Sequence, residues 1–197
     1  MSTSNHSARA SVSGLLSQST AIPGVHVIDR VQRGDERGFF ERIFCAETMR
    51  GLGWDENVVQ VNHSYTAQLG SIRGLHYQLP PFAEHKLVSC FRGVVSDVVV
   101  DLRYRSPSFL QHVRIELSGK NARSILIPPG CAHGFQTLSD NVDIFYCHSA
   151  AYSPQSEAGL NVLDPCLQLC WPLPIAQIAE RDLGFAFLSE GFEGVQL

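Results

Sequence analysis

Two segments hold the residues best able to do chemistry: Ser71-Ile72-Arg73-Gly74-Leu75-His76-Tyr77-Gln78 and Ile127-Pro128-Pro129-Gly130-Cys131-Ala132-His133-Gly134-Phe135. Each reads as a strand or tight turn that delivers one histidine, His76 or His133, at the end of an apolar run. Imidazole titrates near neutral pH, so it can take a proton from carbon and return it. Arg73 and Lys86 lie close by in sequence, and Arg37 sits in a Gly-containing segment. A cation beside apolar chain is costly unless it meets an anion, and diphosphate is one such anion. The set therefore favours proton abstraction beside a carbonyl on a phosphorylated substrate. Local pattern alone leaves His76 open between a base and a buried histidine with satisfied hydrogen bonds. It leaves each cation open between an anion contact and a solvated charge.

A base needs an orienting partner on its other ring nitrogen, and a carboxylate suits that role. Asp97, Asp101, Asp143, Asp164 and Asp182 are all candidates, and their positions do not rank them. Tyr146 and Tyr152 are strand and strand-end aromatics, a type more often found in a core or rim than as an acid. No metal-ligand spacing is present: His76 is followed by Tyr77-Gln78, which breaks a His-x-His pair, and His63, His85 and His133 share no ligand pattern. The site is read as metal-free.

These side chains must be held by short strands. Val25–Ile28, Phe39–Phe44, Val58–Ser64, Lys86–Phe91, Val94–Leu102, Val113–Leu117, Ser124–Ile127, Phe135–Leu138 and Val142–Cys147 read as strands, with turns at Gly34–Gly38, Arg92-Gly93 and Gly119–Asn121. Alternation over Val58–Ser64 puts Gln60, Asn62 and Ser64 on one face and Val59, Val61 and His63 on the other. Ala46–Leu52 is a short helix stopped by Gly53, and Pro172–Leu188 a helical turn with an extended tail. Many short strands between Gly and Pro turns predict an all-β sandwich or barrel.

The 197 residues suit one domain, with 44% hydrophobic and 17% charged side chains. A net charge of -4 argues against a general nucleic-acid binder, and no apolar run approaches a membrane span. Residues 1–20 are Ser-rich and unlike a secretory signal, so a disordered tail is expected before a domain over 21–197. Six scattered cysteines (Cys45, Cys90, Cys131, Cys147, Cys166, Cys170) form no Cys-x-x-Cys pair. They read as reduced thiols packed in a cytosolic core.

Taken together, Gly34-Asp35-Glu36-Arg37-Gly38-Phe39-Phe40, Gln60 with Asn62-His63-Ser64, Arg73–Gln78, Lys86-Leu87-Val88, Asp97–Asp101, Ser106–Phe109, Ile127–Phe135 and Tyr152-Ser153-Pro154 resemble the RmlC-like dTDP-4-dehydrorhamnose 3,5-epimerases. The likeness spans about Ala21 to Leu188. It implies a cupin jelly-roll barrel with short peripheral helices, a cytoplasmic homodimer, no cofactor, and a role in deoxysugar and polysaccharide biosynthesis. The implied reaction is epimerisation of a nucleotide-linked 4-keto-6-deoxyhexose at C3, C5 or both. By position, His76 matches the base, Asp182 its orienting aspartate, Tyr146 the acid on the opposite face, and Lys86 the lysine near the C4 oxygen. Gln60, Asn62, Arg73, Tyr152 and Arg181 match nucleotide or phosphate contacts, and His133 lines the pocket. The Arg37 strand is expected to reach into the partner's site.

Two departures bear on substrate. Arg42 stands where the family often has Glu, and Asn161-Val162-Leu163-Asp164 where Leu-Trp-Asn-Asp is common. A donor in place of an acceptor makes a CDP-sugar an alternative to a dTDP-sugar. A 3,4-ketoisomerase and a non-catalytic nucleotide-sugar-binding cupin are the competing functions.

Overall fold

A computed structural model describes residues 14–197. The first strands are β1 (Leu15–Ser19), β2 (His26–Arg30), β3 (Arg33–Asp35) and β4 (Gly38–Phe40). Helix α1 (Ala46–Arg50) follows, then β5 (Gln60–Thr66), β6 (Ser71–Gln78), β7 (Lys86–Arg92) and β8 (Val94–Asp101). Next come β9 (His112–Ser118), β10 (Arg123–Ile127), β11 (Cys131–Thr137) and β12 (Val142–His148). The chain ends with β13 (Glu157–Gly159), β14 (Gln177–Ile178) and α2 (Glu180–Leu183).

One sheet runs β1-β2-β10-β7-β12-β5 and the other β13-β6-β11-β8-β9, with β14 parallel to β6. Every other pairing between these strands is antiparallel, and β3-β4 form a separate hairpin. This is the expected all-β jelly roll. Its central core lies between the sheets, where Val88, Cys90, Val95, Val99, Phe135 and Ile144 meet. The period of two along β8 aims Val95, Asp97 and Val99 inward. Val98 and Val100 pack instead with Leu160, Val162 and Leu167 on the outer face. Asp97 is therefore carried into the interior by its apolar neighbours.

Three expectations need correction. Residues 1–20 are not all tail: 1–13 lie outside the described residues, but Leu15–Ser19 pair with His26–Arg30, and Leu15 is buried in a cluster with Ile28 and Trp54. Burial of Leu15 and the ladder with β2 together offset the ordering of this strand, which the Ser-rich composition concealed. The strand expected over Phe39–Phe44 stops at Phe40, because Glu41 turns inward to an ion pair with buried Arg30 (Nε to Oε1, 3.2 Å). The thiols are all free, yet only Cys90 and Cys131 are buried, and Cys166 and Cys170 are exposed.

Candidate active site

Strands β6 and β11 bring the two histidine motifs together, with His76 and His133 directly opposite across the ladder. The strands approach closely at Gly74, where an added Cβ would lie 2.5 Å from Gly134 Cα. Both histidines line a cavity of about 710 Å³, within the usual range for small-ligand sites. Asn62, Arg73, Lys86, Tyr146, Arg181 and Asp182 line it too. A smaller cavity of about 120 Å³ borders it and reaches Gln60 and Tyr152.

His76 Nε2 is 2.8 Å from Asp182 Oδ1, while Asp182 Oδ2 accepts the Gly74 N–H at 3.1 Å. Of the five carboxylates left open by the sequence, this one reaches His76. The C-terminal segment delivers it: β14 pairs with the start of β6, and Asn161 Nδ2 donates to the carbonyls of Leu183 and Phe185 on either side of the α2 terminus. The Phe185 ring rests edge-on against His76 at 5.9 Å, in space that exists because residue 159 is glycine. Burial alone would raise the Asp182 carboxyl. The His76 hydrogen bond, the Gly74 N–H and the charges of His76 and Arg181 bring it below its ordinary value. A neutral His76 that donates from Nε2 keeps its lone pair on Nδ1. Arg181 Nη2 also lies 3.1 Å from Nε2. As a second donor it cannot share that proton, and its bonds go to Glu157 Oε1 (3.0 Å) and Asp182 Oδ1 (3.3 Å).

Deeper in the cavity, His133 Nε2 is 2.8 Å from Asp97 Oδ2. Asp97 is fully buried with Oδ1 unpartnered among the described residues, and burial holds its carboxyl above the ordinary value despite His133. Tyr146 sits between the rings of His133 (6.3 Å) and His148 (6.0 Å), with its hydroxyl 3.1 Å from Ser64 Oγ. Burial pushes its phenol up to about 12, so it keeps a transferable proton at neutral pH.

Arg73 donates to Thr66 Oγ1 (2.8 Å) and the Tyr65 carbonyl (3.1 Å), both neutral, and forms no ion pair among the described residues. Its charge therefore has no counter-charge among the described residues. Lys86 Nζ meets Glu84 Oε1 at 3.2 Å. At the rim, Gln60 donates to Asn62 Oδ1 and accepts the Tyr152 N–H, while the Tyr152 hydroxyl donates to Glu157.

Arg37 and Arg42 line neither cavity of their own chain. Arg37 projects from the exposed β3-β4 hairpin, paired with Asp35. Among the described residues no group of three or more His, Cys, Asp or Glu side chains converges as a metal site would require. The sequence reading missed Glu84, His148 and Glu157. His148 could have been found, since it lies two residues beyond Tyr146 on the same strand face. Glu84 sits in a loop, where no periodicity points at the cavity.

A family model described as dTDP-4-dehydrorhamnose 3,5-epimerase matches residues 19–190. The chain belongs to this family. A dTDP-4-dehydrorhamnose 3,5-epimerase of Sinorhizobium fredii is 43% identical over 166 residues, which is 84% of this chain and 85% of the relative. The Shigella flexneri enzyme is 40% identical, covering 83% of this chain and 91% of its own. Among solved structures, the Legionella pneumophila enzyme in complex with dTDP-4-keto-L-rhamnose superposes with a TM-score of 0.83 at 40% identity, covering 88% of this chain and 92% of its own. The Bacillus anthracis enzyme, with TDP and PPi bound, reaches 0.85 at 34% identity, covering 88% and 99%. Like these relatives, this family member is an epimerase of the isomerase class that takes a nucleotide sugar.

Proposed function

We propose that this epimerase inverts C3, C5 or both in a dTDP-linked 4-keto-6-deoxyhexose without a cofactor. The observation that carries the reading is the His76–Asp182 pair in one cavity with a protonated Tyr146 and an uncompensated Arg73. The C4 ketone acidifies its neighbouring C–H bonds, and His76 Nδ1 removes the proton. Asp182 keeps the ring oriented and stabilises the imidazolium that forms. The Lys86 ammonium faces the developing enolate oxygen, a donor worth ~3 kcal/mol in comparable sites. Tyr146 returns a proton to the opposite face, which inverts the carbon. Arg73 and Arg181 hold the diphosphate, Gln60, Asn62 and Tyr152 hold the nucleotide end, and His133 shapes the deep wall.

The names of the relatives favour dTDP over CDP, and Arg42 bears on the base only if it reaches another subunit's site. A homodimer is part of the proposal: the β3-β4 hairpin carries Phe39 and Phe40, which are 61% and 67% exposed, and would insert Arg37 into the partner. Six free thiols suit a reducing compartment, so the cytoplasm is the proposed location.

The test is incubation with dTDP-4-keto-6-deoxyglucose in heavy water, followed by NMR of the product. Inversion with one deuterium per inverted carbon supports the reading. A product with its carbonyl moved to C3 supports a ketoisomerase instead, and absence of exchange supports a binding module.

A further inference from the structure

Beside the His76–Asp182 pair, the cavity wall holds a second buried polar cluster. Glu84, 8% exposed, places Oε1 3.2 Å from Lys86 Nζ and Oε2 3.0 Å from His148 Nδ1. On the other side of the imidazole, His148 Nε2 lies 3.3 Å from Asn62 Nδ2. Asn62 Oδ1 in turn accepts from Gln60 Nε2 at 3.1 Å, and Gln60 Oε1 accepts the Tyr152 N–H at 2.9 Å. One continuous chain thus runs from the lysine ammonium to the rim of the site.

A single protonation state satisfies every link. Neutral His148 with its hydrogen on Nδ1 donates to the Glu84 carboxylate and accepts from the Asn62 amide on Nε2. A second proton on Nε2 would face the Asn62 N–H, donor against donor. Rotating the amide to relieve this would turn its NH2 onto Gln60 Nε2, another donor. The conflict therefore passes along the chain and cannot be absorbed locally.

We propose that His148, acting with Glu84, is a positioning residue of the nucleotide-sugar site: neutral, it fixes the Asn62 amide on one side and, through the carboxylate they share, the Lys86 ammonium on the other, and its protonation loosens nucleotide binding. This rests on the reading above only in assigning Asn62 and Lys86 to the substrate. The groups facing His148 are Glu84 and Lys86, the stacked Tyr146 ring on its own strand, and His76, Tyr152 and Glu157 across the smaller cavity. Burial would raise Glu84, but the His148 hydrogen bond and the Lys86 charge hold it below its ordinary value, so it stays ionised. Tyr146 keeps its proton up to about 12.

The probe is dTDP-glucose, which lacks the ketone and whose diphosphate diester does not titrate near neutral pH. Its affinity is measured calorimetrically between about pH 8 and 5.5, a span that covers imidazole titration. The wild-type affinity should weaken by about fivefold on acidification, the scale of one lost hydrogen bond. His148→Gln should flatten this dependence, and Glu84→Gln should move it to lower pH because the imidazolium loses its counterion. Nitrogen-15 NMR of His148 should show the Nδ1–H tautomer at neutral pH, whether or not any sugar is turned over. An Nε2–H tautomer, or the same pH dependence in wild type and His148→Gln, would overturn the proposal. Should His148→Gln fail to fold, an unmoved profile in Glu84→Gln overturns it equally. Wild-type protein that binds no dTDP-glucose at any pH would overturn the function reading and this role together. Binding with an unchanged profile would overturn this role alone.

Discussion

At the scale of single residues, His76 and Tyr146 have separable duties. Removing the base should stop the first proton transfer, so His76→Asn should lower turnover by at least ~10²-fold, the usual scale for loss of a general base. Circular dichroism should show the fold intact, since His76 lines a cavity and not the core. Tyr146→Phe should behave differently. The base can still remove and return a proton on its own face, so substrate carbon should exchange deuterium from heavy water while inversion falls by a similar factor. Equal loss of exchange and inversion in Tyr146→Phe would remove Tyr146 from the role of opposite-face acid.

At the scale of elements, the contact between β6 and β11 sets the site. Gly74 has φ +126°, and an added methyl would meet Gly134 Cα at 2.5 Å and the His133 carbonyl oxygen at 2.8 Å. Gly74→Ala should therefore cost about 1–3 kcal/mol from backbone strain and at least as much again from forcing the strands apart. For a chain of this size the first term alone lowers Tm by roughly 2–4 °C per kcal/mol. Because Gly74 also donates to Asp182 and neighbours His76, activity should fall further than stability explains at a temperature where the variant is folded. Scanning calorimetry beside turnover would separate the two losses.

At the scale of the whole molecule, acid stability and assembly carry the predictions. Burial would raise the Asp101 carboxyl, but hydrogen bonds from Arg103, Ser106 and Ser108 bring it from 3.8 to about 2. A depressed folded value means stability present above the ordinary pKa and lost as pH falls from about 4 to about 2, worth roughly 2 kcal/mol. Glu84 and Asp182 shift in the same direction, while buried Asp97 shifts oppositely and offsets part of the gain. Urea unfolding should show stability climbing from pH 2 to about 4, and Asp101→Asn should flatten that rise. Assembly concerns the β3-β4 hairpin, whose exposed Phe39 and Phe40 lack cover in one chain. The double change Phe39→Ser with Phe40→Ser should yield a folded monomer by analytical ultracentrifugation. If the arm completes the partner's site, turnover should fall with dimerisation. A variant that stays dimeric would show that the hairpin is not the interface.

Residue types and local order were enough to determine the all-β class, most strand positions, and the two motifs that carry His76 and His133. Period-two alternation and Gly-rich turns are local signals, and they survive into the folded chain. The β1 strand and the early end at Phe40 were hidden, because each depends on a distant partner: Leu15 on the Ile28–Trp54 cluster, and Glu41 on Arg30. The site shows the same division. Asp182 is separated from His76 by 106 residues, and among the residues alone it was one of five equal carboxylates. Only the docking of β14 on β6, with Asn161 anchoring the end of α2, places it on the ring. Asp97, another of the five, goes to His133 because the alternation of β8 turns it inward. Glu84 and His148 meet across 64 residues of chain, and a hydrogen bond of 3.0 Å between them has no trace in spacing. Chemistry resides in residue types, which the chain displays openly. Partnership is a distance, and distance is set only when the sheets close.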